Sequence, residues 1–392
     1  MDSDWIPLSH ADLAERESRL VEQVLRSGRL SSGAMVEAFE SIFADFHGRR
    51  YAVAVSGGMA GTWLALRALG IGPGDEVIAS AYSWHQLAHA IVHVGATPVF
   101  ADIDYWSGSL APEAVEEKIT PRTRAILAGN CNGHPAAWRA LREIATRHAL
   151  ALIEDSSEAI GSRYLDRLVG SFGDLAIFDF SQPLALCCGE GGVVLTDDRD
   201  LATELHYLRA HGLADRRSVS VGSRVPLAAG MGDLAAAVAV AQLERIDEIL
   251  ARRKQVEVWY HEIMQSFEGI KPPYLAPDVT EVHWMLYVVH LGKRFAASAR
   301  DQLIQDLDDE AVESAIYSRP LHRHFHYERM GKEQGAAGSF AVPPPVLPNT
   351  QRIADRALAL PFHGFLSQDE VRFIVGTLKD TATNVGAGVP IY

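Results

Sequence analysis

Apolar positions recur at helical spacing over residues 10–27, and a Leu-Ser-Ser-Gly turn at 30–33 places hydroxyls to cap a second helical pattern, MVEAFESIFADFHG. The period then shortens. YAVAV (51–55) is a strand-like run that stops at Ser56-Gly57-Gly58, and an alanine- and leucine-rich helix follows to Leu69. Strand-like runs return within GIGPGDEVIAS (70–80), HVGATPVFADI (93–103) and TRAILAG (123–129). After a helical stretch at 136–149, ALALIEDSSEAIG ends a further strand in acidic and hydroxyl residues. Strands alternating with helices at this spacing predict an α/β fold with a mostly parallel sheet. Past residue 196 the spacing predicts one long helix over about 231–268, then a few strands with helices, including HWMLYVVHL (283–291) and a last helix near 367–380. PPYLAP and VPPPVLP read as loops. The predicted division is a large domain at 1–245, a small α+β domain at 246–380 and an aperiodic tail at 381–392 that is mobile or docked on a partner.

Composition narrows the partners. A chain of 392 residues, 48% hydrophobic, builds sizeable cores, and a formal charge of −14 argues against nucleic acid. No apolar run is long enough to span a bilayer, and the acidic start lacks the features of a signal peptide, so a cytoplasmic protein is expected. Cys131, Cys187 and Cys188 have no metal-ligand spacing and read as reduced thiols. The run from His322 to His326 lacks an acidic or cysteine partner at fixed spacing, and no metal is expected. A strand, a glycine turn and a helix start at 51–59 form an anion-binding arrangement, because free amides and the helix dipole converge on one spot.

The stretch AIFDFSQPLALCCGEGGV (176–193) resembles the signature of the DegT/StrS family of sugar and cyclitol aminotransferases. IPLSHADL, GIGPGDEVIASAYSW, HVGATPVFADID, AVAQLERIDEILARR and LALPFH are similar to further family segments across nearly the whole chain. RPLHRHFHY and CCGEGG resemble the branch of aminohydroxybenzoate synthases and scyllo-inosose aminotransferases. The resemblance implies an aspartate-aminotransferase-like (fold-type I) large domain, a small C-terminal domain and a homodimer. It places Asp155 against the pyridine nitrogen of pyridoxal phosphate (PLP), Glu158 beside the ring and Trp84 on the ring face. The family lysine falls on Leu184 and the phosphate-holding serine on Asp179. The family S-G-T reads Gly57-Gly58-Met59, and the asparagine reaching the partner's cofactor falls on Ala228.

Leucine cannot form an imine, and a carboxylate repels a phosphate. From these departures the expected function is a biosynthetic enzyme of secondary-metabolism type that has lost PLP. It would run acid–base chemistry (cyclisation, dehydration, isomerisation or condensation) on a polar, possibly amine-bearing small molecule. Asp155, Asp179, Glu158 and His85 are its catalytic candidates. Trp84, Gly58, Met59, Ser181 and Leu184 line the former cofactor pocket, and His134, His322, Arg323 and His324 the substrate entrance. No cofactor is expected on this reading. Two alternatives stand beside it: an aminotransferase or dehydratase holding PLP or its amine form (PMP) non-covalently, and a non-catalytic partner of an active paralogue.

Overall fold

The computed structural model describes residues 5–31, 33–83, 86–209, 225–265, 269–293, 295, 297–324, 326–329 and 345–387. Its strands are β1 (Tyr51–Val55), β2 (Glu76–Ser80), β3 (Thr97–Ala101), β4 (Thr123–Gly129), β5 (Ala151–Asp155), β6 (Arg163–Tyr164), β7 (Arg167–Leu168), β8 (Leu175–Asp179), β9 (Gly192–Thr196), β10 (Ile270–Lys271), β11 (Val279–Glu281), β12 (Tyr287–Leu291) and β13 (Ala357–Leu360). Seven of them form one sheet in the order β1-β9-β8-β5-β4-β2-β3. The pairs β3–β2, β2–β4, β4–β5 and β5–β8 are parallel, and β9 runs antiparallel to both β8 and β1. This is the mostly parallel α/β sheet that the alternation predicted. Edge strand β1 and its inner neighbour β9 are both buried on both faces, which is why Val53-Ala54-Val55 and Val193-Val194-Leu195 carry no polar alternation.

The helix Asp233–Glu244 packs against Glu15–Ser27 and Ala34–His47. Its Ala236, Ala237, Ala239, Val240 and Ala241 are buried within one protomer. That apolar content is thus explained by intrachain packing and carries no information about a second copy. The predicted single helix over 231–268 is two helices, Asp233–Glu244 and Ile246–Met264, meeting at Arg245. Arg245 leaves helical geometry at φ −110°, ψ 11° while its guanidinium joins Asp12 at 3.0 Å and Glu17 at 2.6 Å. Two buried carboxylates on the N-terminal segment thus fix a bend that periodicity cannot show. The last helix runs Gln368–Ala387, so residues 381–387, read as part of the aperiodic tail, are helical.

β12 is the centre of a second, antiparallel three-stranded sheet, β10-β12-β13, and β11, β6 and β7 form a third. Buried Tyr287, Val289, Leu358 and Leu360 belong to the same apolar cluster as Leu303, Leu307, Ile374 and Leu378 of the C-terminal helices. That cluster also includes Trp138, Leu141 and Leu152 of the large sheet and its cover.

Candidate active site

Parallel strands present their carboxyl ends on one side of a sheet, where ligands of open α/β folds bind. Here β5 ends at Asp155 and β8 at Asp179, with Asn130 just beyond β4. Strand alternation separates the two acids of Ile153-Glu154-Asp155. Glu154 is fully buried and accepts from the amides of Gly170 (2.5 Å), Phe172 (2.8 Å) and Gly173 (3.0 Å), so it builds the loop after β7. Asp155 lines the site instead. Its Oδ1 accepts from the Ser157 hydroxyl at 2.6 Å and the Ser157 amide at 3.0 Å. The Asp179 amide donates in turn to Ser157 Oγ at 2.9 Å, tying the two strand ends together.

Burial pushes the Asp155 carboxyl up to about 6, the Ser157 bonds oppose that, and nearby Asp179 adds to it. Glu158 sits one turn further on. Its Oε2 accepts from the Asn132 amide at 2.5 Å and from the Tyr317 hydroxyl, and burial pushes it up to about 7. The Cys131 thiol donates to Tyr317 Oη at 3.3 Å, giving a chain Cys131–Tyr317–Glu158. The Tyr82 hydroxyl is buried with no hydrogen-bond partner among the described residues and lines the same cavity as Asp155, Glu158 and Tyr317, about 330 Å³ of open space.

A second cavity of similar size joins Asp155 and Glu158 to Asp179, Ser181, Leu184 and Met285. Leu184, like Cys131 and Tyr317, packs against a buried cluster that includes Tyr82 and Met285. Among the described residues, no lysine lines these cavities.

The other end of the site is open. The pairings Val55↔Gly192 and Asp179↔Gly192 line up the ends of β1, β9 and β8. A Cβ on Gly192 would stand 2.7 Å from the Gly57 carbonyl carbon and 2.9 Å from the Gly58 nitrogen, so a side chain there is excluded by the turn it supports. Asp179 is pressed onto that turn. Its Oδ2 accepts the Gly58 amide at 2.6 Å, and its Oδ1 accepts from Ser181, the amide at 2.8 Å and also the hydroxyl. A cleft of about 980 Å³ opens over Ser56, Gly57, Gly58, Met59, Asp179 and Glu190. The segment carrying Ala228 follows β1: the Ser56 amide donates to the Ala229 carbonyl at 2.8 Å.

Trp84 and His85 lie outside the described residues. His134 is locked by main chain: Nδ1 donates to the Pro135 carbonyl at 2.8 Å, and Nε2 accepts the Ala276 amide at 3.2 Å. Burial lowers its pKa, and the imidazole is a neutral clamp whose face lines a neighbouring aromatic cavity with Tyr274 and Trp284. His322 and Arg323 belong to a short 3₁₀ turn followed by His324, anchored by the Leu321 amide to the Ala81 carbonyl at 2.8 Å. None of the three lines the cavities that hold Asp155. Sequence reasoning missed Tyr317, Cys131 and Tyr82. Tyr317 arrives from 159 residues beyond Glu158, and no local pattern marks such a contact.

The mostly parallel seven-stranded sheet is shared with solved aminotransferases of the fold-type I PLP class, and that is the fold of this chain. The sequence profile of the DegT/DnrJ/EryC1/StrS aminotransferase family matches residues 11–379, and the chain belongs to that family. It is 34% identical over 386 residues to the spore coat polysaccharide biosynthesis protein SpsC of Bacillus subtilis (strain 168), covering 96% of this chain and 97% of that one. DesV of S. venezuelae, solved with a ketimine intermediate, superposes with a TM-score of 0.86 at 32% identity, over 97% of this chain and 99% of that chain. The PLP form of the putative sugar aminotransferase Spr1654 from Streptococcus pneumoniae gives 0.88 at 25% identity, with 97% and 99% covered.

These likenesses overturn two expectations. A PLP-independent acid–base enzyme and a site with no cofactor both rested on motif departures at 59, 179, 184 and 228. The whole-chain match to an aminotransferase family, with relatives solved in PLP and PMP forms, supports the cofactor-dependent alternative instead. Single positions report which contacts differ, whereas the family match rests on hundreds. The structure fits the group at one end: Asp155 is a buried carboxylate with no lysine or arginine among the groups that shift it, suited to a cationic ring nitrogen. At the other end Asp179 holds the amide that a phosphate would take.

Proposed function

We propose that the chain is a sugar aminotransferase of biosynthetic type that uses PLP and PMP held by non-covalent contacts. The observation that carries this reading is Asp155, 9% exposed at the end of β5, bonded on one oxygen by Ser157 and, among the described residues, without a basic partner. A pyridinium supplies the charge that relieves such a carboxylate, and a protonated ring acts as an electron sink for moving an amino group to a carbonyl carbon. Ser157 fixes the carboxylate's orientation. Glu158 and Tyr317 hold a shared proton at Oε2 beside the cavity, where a group pushed up to about 7 can accept or release it near neutrality. Tyr82 offers an unused hydroxyl to a polar ligand.

SpsC belongs to polysaccharide biosynthesis by its name, and a sugar substrate suits a cavity lined by Ser80, Ser83, Asn130 and Tyr82. We read the residues named above as the site, 1–245 and 246–380 as its two domains, a homodimer as the working unit and the cytoplasm as its compartment. The test is single-turnover conversion. Protein loaded with PMP is mixed with keto sugars, and amino sugar is measured against PLP released. Equal yields of both are expected. Stoichiometric PMP that stays unconverted by a broad panel of keto sugars would reject the reading.

A further inference from the structure

The amides at the start of the helix Gly58–Ala68 are the anion-binding feature that the sequence marks most clearly, and one of them is already taken. Among the described residues, the Met59 and Ala60 amides have no hydrogen-bond partner, as expected for a first helical turn. The Gly58 amide is different: Asp179 Oδ2 lies 2.6 Å from it. A Cβ on Gly58 would meet Asp179 Cβ at 2.8 Å and Oδ2 at 2.9 Å, so glycine at 58 admits the carboxylate rather than leaving space. The backbone directs the side chain there, because Asp179 closes β8 in register with Gly192, whose own missing side chain lets the turn approach. Ser181 then fixes the second oxygen through its amide and hydroxyl. Only 6% of Asp179 is exposed, and the cleft above it is lined by Glu190 and His93 and, among the described residues, by no lysine or arginine.

We infer that Asp179 is a resident carboxylate occupant of the anion cradle, so that a phosphate enters only by displacing it. The occupant satisfies the Gly58 amide, and its charge opposes a second anion at the same spot. The occupancy is independent of any cofactor; its consequence for PMP rests on the aminotransferase reading above. On that reading, Asp179 sets how much of the cofactor's affinity comes from its phosphate.

The test is calorimetric titration with inorganic phosphate of the wild-type chain, Asp179→Ser and Asp179→Asn, with circular dichroism as the check on folding. Serine vacates the space and asparagine fills it. Asp179→Ser should bind phosphate about tenfold to a hundredfold more tightly than wild type, the value of one hydrogen bond to a charged group. Asp179→Asn should gain much less. A folded Asp179→Ser that gains no affinity, or a wild type that binds phosphate as well as Asp179→Ser, would overturn the inference. Should the serine variant not fold, hydrogen exchange at the Gly58 amide in wild type decides: protection unaltered by phosphate is expected, and phosphate-dependent protection overturns the inference. Pyridoxamine and PMP are titrated in parallel. Phosphate binding to Asp179→Ser with neither vitamer bound to any variant leaves the occupancy standing and rejects the cofactor reading. A wild type that already prefers PMP over pyridoxamine as strongly as Asp179→Ser does the reverse.

Discussion

The two ends of the site solve opposite electrostatic problems. At the ring end, Asp155 is buried and Glu158 and Tyr317 are half-buried, and the two carboxyls are pushed up by the loss of water, without a cation among the described residues to offset them. At the turn end, Asp179 faces backbone amides, which stabilise a negative charge in place. One end waits for a positive partner; the other already holds its negative one. Chemical competence and anion affinity are therefore separate properties here, although both come from carboxylates at the ends of neighbouring strands, and each can be broken without the other.

The largest effect should come from the ring end. Asp155→Ala should lower single-turnover amino transfer by roughly a hundredfold to ten-thousandfold, the span of positioned acid–base and charge-stabilising groups, with the fold retained by circular dichroism. Unchanged turnover would remove Asp155 from the site and erase the contrast.

The next effect is on stability. A carboxyl raised from 4.5 to about 7 binds a proton in the folded state that the unfolded chain has released between those values. Its contribution is full below the unfolded value and is lost as pH rises through about 7. Wild-type thermal midpoints should therefore fall between pH 5 and about 8 relative to Glu158→Gln, which has no such proton to lose. The comparison must be made as a difference. Buried His47 and His290, lowered to about 3 and about 4, act with the other sign and weaken the fold as pH drops below the ordinary histidine range. Parallel curves for the two proteins would show that Glu158 is not held protonated by burial.

The smallest effect belongs to the turn end. Met59→Thr adds a hydroxyl at the first turn of the helix lining the open cleft, and in the Asp179→Ser background should strengthen phosphate binding by about threefold to tenfold in calorimetry. In wild type it should do little while Asp179 stays in place. A gain of the same size in both backgrounds would mean that the cradle is not blocked.

Much of this was legible beforehand. Alternating strands and helices announced the mostly parallel sheet, and Asp155, Glu158, Asp179 and Leu184 do converge on connected cavities. The cofactor expectation erred for a physical reason: it weighed four local departures more heavily than the fold and family in which they sit. Tyr317, Cys131 and the Tyr82 hydroxyl were invisible because their partners lie far away in sequence or, for Tyr82, are absent among the described residues. The same holds for Arg245, whose bend depends on Asp12 and Glu17 more than 200 residues earlier.

By itself, then, the sequence determined the order of elements and which acids close which strands, because hydrophobic period and turn residues act over a few positions. Tertiary structure alone decided what each acid faces. Glu154 and Asp155 are neighbours, yet one is consumed by loop amides and the other lines the cavity. Asp179 looked like a charge in the wrong place for a phosphate; across the sheet it proves to be bonded to the very amide a phosphate would use. Charge is written along the chain, but the dielectric and the partners around it exist only once strands from distant segments lie side by side.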